Sequence, residues 1–185
     1  MKLGIVGLPN VGKSTLFNGL TGMNQHTGNW PGKTVENALG LCKSNSRTYI
    51  IADLPGTYSL MAHSPEEEMA RDFLLAHRTD AAIVVCDASC LERNLNLVLQ
   101  TIELVPQVLV CVNLMDEAEK RHIQINLPAL SKALGVPVIG TSARSKQSLT
   151  ALCNALDSLT GARITGSTPA PVPSPPVLEA ALTIL

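Results

Sequence analysis

The sequence predicts an α/β domain: a mostly parallel, doubly wound sheet flanked by helices. Three observations lead there. Short apolar runs alternate with stretches of helical period, a pattern that implies right-handed βαβ crossovers. Hydrophobic residues make up 45% of the 185 residues and aromatic ones only 3%, so the core must be aliphatic, as suits strands buried on both faces. A glycine-rich loop, Gly7 to Gly12, joins the first apolar run to the first helical one.

The elements follow in order. Lys2 to Gly7 reads as a strand and Lys13 to Leu20 as the helix after the loop. Thr21 to Lys33, with three glycines, Pro31, Asn24 and Asn29, reads as a long polar loop. Val35 to Lys43 and Arg47 to Asp53 read as strands joined by a polar turn, Ser44-Asn45-Ser46. Ser64, Pro65 and Glu67 mark a helix start, with Ser64 as N-cap, and that helix should run to about His77. Glu66 and Glu67 then serve as first-turn acidic residues. Ala81 to Asp87 is the next buried strand, and Leu91 to Leu104 a helix with apolar positions 91, 95, 98, 99 and 102. Val108 to Asn113 is a strand, Leu127 to Leu134 a short helix closed by Gly135, Val136 to Ser142 the last strand, and Ser148 to Leu159 the last helix.

Residues 1–161 thus form one domain. From Ala162 to Pro176 the composition shifts to Thr, Ser, Ala, Gly and five prolines, which reads as a linker. Val177 to Leu185 resumes a helical apolar pattern and reads as the start of a further helical domain, one that could pack on a neighbouring chain.

Net charge is -1, from 14 basic and 15 acidic residues, without the concentrated basic surface that nucleic-acid binding needs. No run approaches the ~20 apolar residues of a membrane helix, so the chain reads as soluble. The five cysteines, at 42, 86, 90, 111 and 153, form no CxxC pair and read as reduced thiols. Cys86 and Cys90 are two thiols only, too few for a metal site. The four histidines are scattered, and none is assigned to iron.

The chemistry begins at Gly7-Leu8-Pro9-Asn10-Val11-Gly12-Lys13-Ser14, followed by Thr15, which matches GxxxxGK[ST] between a strand and a helix. Glycines let successive N–H groups turn inward as an anion nest, and the helix beginning at Lys13 adds its positive dipole end. Lys13 is placed for β- and γ-phosphates, and the Ser14 hydroxyl for Mg²⁺. Asp53-Leu54-Pro55-Gly56 ends an apolar strand; its carboxylate suits the metal and the Gly56 N–H a γ-phosphate oxygen. Thr34, with Gly32 and Lys33 before it, could add a hydroxyl to Mg²⁺ only while a γ-phosphate is present, the basis of a loop switch. Thr57 stands where a Ras-like protein has its water-orienting Gln.

Asn113-Leu114-Met115-Asp116 points to guanine. A carboxylate accepts from N1–H and the N2 amine of guanine, and adenine offers neither in that arrangement. The common form of this motif has Lys where Leu114 stands. Thr141-Ser142-Ala143, with Arg144 beside it, follows the last strand and could offer a backbone N–H to guanine O6. In this order the motifs predict a Ras-like P-loop GTPase fold binding GTP or GDP.

The residues GLPNVGKST (7–15), TGNWPGKTVE (27–36), DLPGTYSL (53–60) and LERN (91–94) together resemble the cytosolic G domain of FeoB-type ferrous iron transporters, over about residues 1 to 160. The resemblance implies continuation into a helical regulatory domain and a transmembrane Fe²⁺ permease, at the cytoplasmic face of the bacterial inner membrane. It implies K⁺ activation, with Asn10 and backbone carbonyls around Gly28 to Trp30 holding the cation where an arginine finger acts elsewhere. Asn10, Lys13, Thr34 and Gly56 would carry slow hydrolysis. Two other readings stay open: a GTP/GDP sensor with negligible hydrolysis, and a ribosome- or tRNA-associated K⁺-dependent GTPase.

Overall fold

The computed structural model describes residues 1–22, 25–29, 36–61, 64–75 and 79–161, with the backbone alone at 25–29, 36 and 37. Trp30, Gly32, Lys33, Thr34, His77, the expected linker and the segment from Val177 lie outside the described residues.

Seven strands form one sheet in the order β2-β3-β4-β1-β5-β6-β7. They are β1 (Lys2–Gly7), β2 (Gln25–Asn29), β3 (Glu36–Lys43), β4 (Thr48–Asp53), β5 (Ala81–Asp87), β6 (Val108–Asn113) and β7 (Val138–Gly140). The helices are α1 (Lys13–Thr21), α2 (Pro65–Leu75), α3 (Leu91–Leu104), α4 (Met115–Lys120), α5 (Leu127–Leu134) and α6 (Lys146–Gly161). β4, β1, β5, β6 and β7 run parallel, while β3 is antiparallel to both β4 and β2. The sheet grows outward from β1 to both sides, so the carboxyl ends of β1, β4 and β6 open onto one crevice, the place where such sheets take ligands.

The central strands are buried throughout. Ile5, Val6, Ile83, Val84, Leu109 and Val110 expose nothing, as expected for a parallel strand covered on both faces. The helix starts follow local chemistry. Ser64 Oγ accepts from the Glu67 N–H at 3.2 Å, satisfying one orphan donor of α2, whose first turn carries Glu66, Glu67 and Glu68. Asn126 Oδ1 caps α5 by accepting from Ala129 N at 3.0 Å, and Gly135 closes the helix in the left-handed region.

Three expectations need correction. Gln25–Asn29, read as loop, is an edge strand paired antiparallel with β3 from Gln25↔Gly40 to Asn29↔Glu36. Its Gln-His-Thr-Gly-Asn sequence has no apolar alternation; the otherwise open edge of β3 supplies the hydrogen bonds that its composition does not announce. The last strand is only Val138–Gly140, because Pro137 has no N–H to give to a ladder. Hydrogen bonds still flank it, Val110 N to Pro137 O at 3.0 Å and Thr141 N to Val112 O at 2.8 Å. Finally, α4, six residues long, occupies a stretch with no helix expected.

Candidate functional site

The loop after β1 folds into a concave nest. Asn10 at φ 68° and Gly12 at φ 80° are both left-handed, two positions apart, which turns consecutive N–H groups to one side. Leu16 N donates to Gly12 O at 3.0 Å as the first intrahelical bond of α1, so the N–H groups of Lys13, Ser14 and Thr15 lie in the first turn, ahead of that ladder. These donors at the start of α1 suit an anion with several oxygens.

Gly12 has a second constraint. A Cβ there would lie 2.4 Å from Asn113 Nδ2. Asn113 is completely buried at the end of β6, and it spends all its chemistry on the loops around it. Its Nδ2 donates to Val11 O at 3.0 Å, and its Oδ1 accepts from Thr141 Oγ1 at 3.1 Å and Ala143 N at 3.0 Å. One amide therefore ties the phosphate loop to the loop after β7, as its position in the sequence motif suggests. Leu114 then turns left-handed at φ 62°, and Met115 N donates to Thr141 O at 3.1 Å, which sets Asp116 in the first turn of α4. Asp116 is exposed, so its carboxylate would lose water only when a flat base covers it.

At the other end, Lys13 is 9% exposed and ion-paired with Asp53 Oδ1, while Ser14 Oγ donates to Asp53 Oδ2 at 3.0 Å. The pairing follows from register: Asp53 ends β4 opposite Ile5 of β1, beside the loop that β1 feeds. Ser14 and Asp53 are hard oxygen donors converging on one point, a donor set that fits Mg²⁺. Among the described residues, no group of three or more His, Cys, Asp or Glu side chains converges elsewhere.

The segment after Asp53 lies directly on the phosphate loop. Thr57 N donates to Gly7 O at 3.1 Å, and a Cβ at Gly56 would come within 3.3 Å of Pro9. Thr57 itself is 2% exposed, and its hydroxyl donates to Ser59 O at 2.6 Å, so the side chain is committed to its own turn. Gln100 of α3 pins the same segment: its Oε1 accepts from Leu60 N at 2.7 Å and from Ser59 Oγ at 3.2 Å. Sequence reasoning missed Gln100, because a polar residue at the margin of an amphipathic helix normally faces solvent.

The structure thus brings together Gly7 to Thr15, Asp53 to Gly56, Asn113 to Asp116 and Ser142 to Arg144 around one crevice. Gly28 lies in β2, described by its backbone only, and Trp30, Gly32, Lys33 and Thr34 lie outside the described residues.

Comparison with known proteins places this arrangement. The family model for ferrous iron transport protein B matches residues 1–156. The Fe(2+) transporter FeoB of Escherichia coli (strain K12) is 44% identical over 161 residues, covering 85% of this chain and 21% of the transporter. The FeoB of Salmonella typhimurium is 42% identical with the same coverage. The chain therefore spans about a fifth of the length of these relatives. Among solved structures, the G domain of the T. maritima FeoB iron transporter superposes with a TM-score of 0.80 at 40% identity, covering 86% of this chain and 98% of that one. The cytosolic domain of the same transporter in its GMPPNP form gives 0.84 at 39% identity, covering 88% and 65%. The fold is that of a Ras-like GTPase domain. Among the described residues, no helix is long and apolar enough to cross a membrane.

Proposed function

Since the chain belongs to the ferrous iron transport protein B family, we propose that it binds GTP with Mg²⁺ and hydrolyses it slowly, as the switch domain of an Fe²⁺ transporter at the cytoplasmic face of the bacterial inner membrane. The observation that carries this reading is the pair of contacts between the phosphate end and the segment after it: Lys13 and Ser14 on Asp53, and Thr57 N on Gly7 O at 3.1 Å. Anything that binds in the nest reaches that segment through direct hydrogen bonds, so occupancy becomes loop position.

In this reading the nest N–H groups and the α1 dipole hold the phosphates, and Lys13 leaves Asp53 for the β- and γ-oxygens. Ser14 and Asp53 hold Mg²⁺, which neutralises phosphate charge, and Thr34 joins them when a γ-phosphate is present. Asp116 accepts from N1–H and the N2 amine of guanine, while the fully bonded Asn113 keeps base and phosphate loops in register. Ser142, Ala143 and Arg144 line the O6 side. K⁺ is held by Asn10 with main-chain carbonyls around Gly28 and Trp30. Downstream helical and transmembrane parts of the same polypeptide read the loop state.

Two outcomes test this. In Asn10→Ala, K⁺ loses its advantage over Na⁺ in steady-state phosphate release while GTP affinity stays within about threefold; undiminished K⁺ stimulation contradicts the cation site. In Thr57→Val, the hydrolysis rate stays within about threefold, because the hydroxyl is spent on Ser59 O. Stability falls by about 1–2 kcal/mol as that carbonyl loses its donor, or roughly 2–8 °C in Tm. A rate loss of a hundredfold would make Thr57 a water-positioning residue after all.

A further inference from the structure

Away from the nucleotide crevice, two thiols 111 positions apart in sequence meet in space. Cys42 Sγ of β3 and Cys153 Sγ of α6 lie 3.8 Å apart in hydrogen-bond contact. Cys42 is 1% exposed, whereas Cys153 is half-buried and opens onto a cleft of about 240 Å³. Gly19 and Leu149 form part of the wall of the cleft, and Lys43, Ser44 and Asn154 part of its polar rim. We propose that Cys42 and Cys153 are a dithiol modification site, oxidised to an intramolecular disulfide by a small anionic disulfide of the glutathione type that enters this cleft.

The geometry assigns the two roles. Cys153 is the sulfur that a solvent-borne molecule reaches, and Cys42 is the buried partner waiting behind it. The contact with the Cys42 thiol lowers the pKa of Cys153, against its own burial and the nearby Asp157 charge. Cys42 is pushed up, by that same hydrogen bond and by burial. Thiolate character and access thus fall on one sulfur, the combination that selects an attacking cysteine. Lys43 at the cleft supplies a cation for the carboxylates of the incoming disulfide.

The other thiols do not compete. Cys86 and Cys111 lie fully buried in the sheet, and burial pushes both up, Cys111 to about 12. Cys90 is half-buried, and burial followed by the Asp87 carboxylate raises it too.

The steps balance. The Cys153 thiolate attacks one sulfur of glutathione disulfide, forming a mixed disulfide and releasing one glutathione thiolate, which takes the proton that Cys153 gave up. Cys42 then attacks Cys153 Sγ, breaking the mixed bond, and its proton goes to the second departing glutathione. Two protein thiols are oxidised by two electrons, and one glutathione disulfide is reduced to two thiols. Forming the bond closes the sulfurs from 3.8 Å to the bonded ~2.05 Å.

The surroundings give the bond something to hold. The far end of the β3–β4 hairpin already clings to α6: Tyr49 OH and Ser44 Oγ donate to Asp157 Oδ1 at 2.6 and 2.7 Å, and an Arg47 guanidinium N–H donates to Thr160 O at 2.9 Å. A disulfide beside these contacts would lock α6 to the hairpin whose other end leads toward Thr34. Closing so long a loop should raise Tm on the order of 10 °C.

The test is to incubate the reduced chain with excess glutathione disulfide at neutral pH and map its cysteines by mass spectrometry without reduction. The expected product is a Cys42–Cys153 disulfide, about 2 Da lighter than the reduced chain, reversed by dithiothreitol and melting several degrees higher. Cys42→Ser should instead stop at one glutathione adduct on Cys153, and Cys153→Ser should leave Cys42 unmodified. A parent chain that retains glutathione on Cys153 with Cys42 free, or that reacts first at Cys90, overturns the proposal. The parent measurement alone decides it should either variant fold poorly. Nucleotide is not involved, so the result is independent of the switch reading.

Discussion

Gly12→Ala should weaken GTP and GDP binding by at least about a hundredfold and lower Tm by about 10 °C. Two independent costs meet at this position. The residue sits at φ 80°, where a Cβ costs roughly 1–2 kcal/mol. That Cβ would also stand 2.4 Å from Asn113 Nδ2, far inside contact distance. Relief by rotating Asn113 is expensive, because that side chain is completely buried and holds three hydrogen bonds. Breaking the bond to Val11 O leaves a buried donor and acceptor unmet, at about 1–3 kcal/mol each. A total of several kcal/mol, at roughly 2–4 °C per kcal/mol for a domain of this size, gives the expected melting shift. The affinity loss is separate: displacing the Gly12 peptide disorders the nest and slackens the tie that sets the base loop. Thermal melting and a nucleotide titration on the same sample read the two effects. Parent-like values in both would mean that the loop tolerates a side chain, and the close approach described here would be wrong.

The second large effect is a change of ligand at nearly constant stability. Asp116→Asn should cut the preference for GTP over XTP by roughly a thousandfold or more, with XTP bound better than by the parent. The carboxylate accepts two bonds from guanine; an asparagine offers one donor and one acceptor, matching xanthine, which carries an oxygen where guanine has its N2 amine. Asp116 is exposed in the first turn of α4, so its replacement costs only the loss of an acid near a helix N-terminus, about 0.3–1 kcal/mol. Competition titrations with GTP, XTP and ATP separate this from unfolding. Retained guanine selectivity would remove Asp116 from the base pocket.

Much of this site is legible because its chemistry is local in sequence. The strand–glycine loop–helix run fixes Gly7 to Ser14 on its own, and α3 runs from Leu91 to Leu104 as its apolar spacing requires. Asn113 closes a buried strand read directly from the sequence, which puts its amide among the loops at that end of the sheet, and its three hydrogen bonds go to those loops. What stayed hidden is non-local. Gln25–Asn29 becomes a strand only because β3 offers it an edge, which no periodicity in five polar residues reveals. Gln100 reaches Leu60 across 40 positions, and Cys42 meets Cys153 across 111. Such pairings depend on how the layers stack, and the sequence announces the layers without their offset. The short β7 is a different case: Pro137 was visible, but the apolar run around it masked its missing N–H.

The central claim is that one crevice reads a guanine base at one end and a magnesium-bound triphosphate at the other. Titration calorimetry of the chain with GTP, GDP and ATP, in potassium buffer containing Mg²⁺, tests it most directly. The account predicts single-site heats with GTP and GDP and none with ATP at the same concentrations. Comparable heats with ATP, or silence with all three, would contradict it.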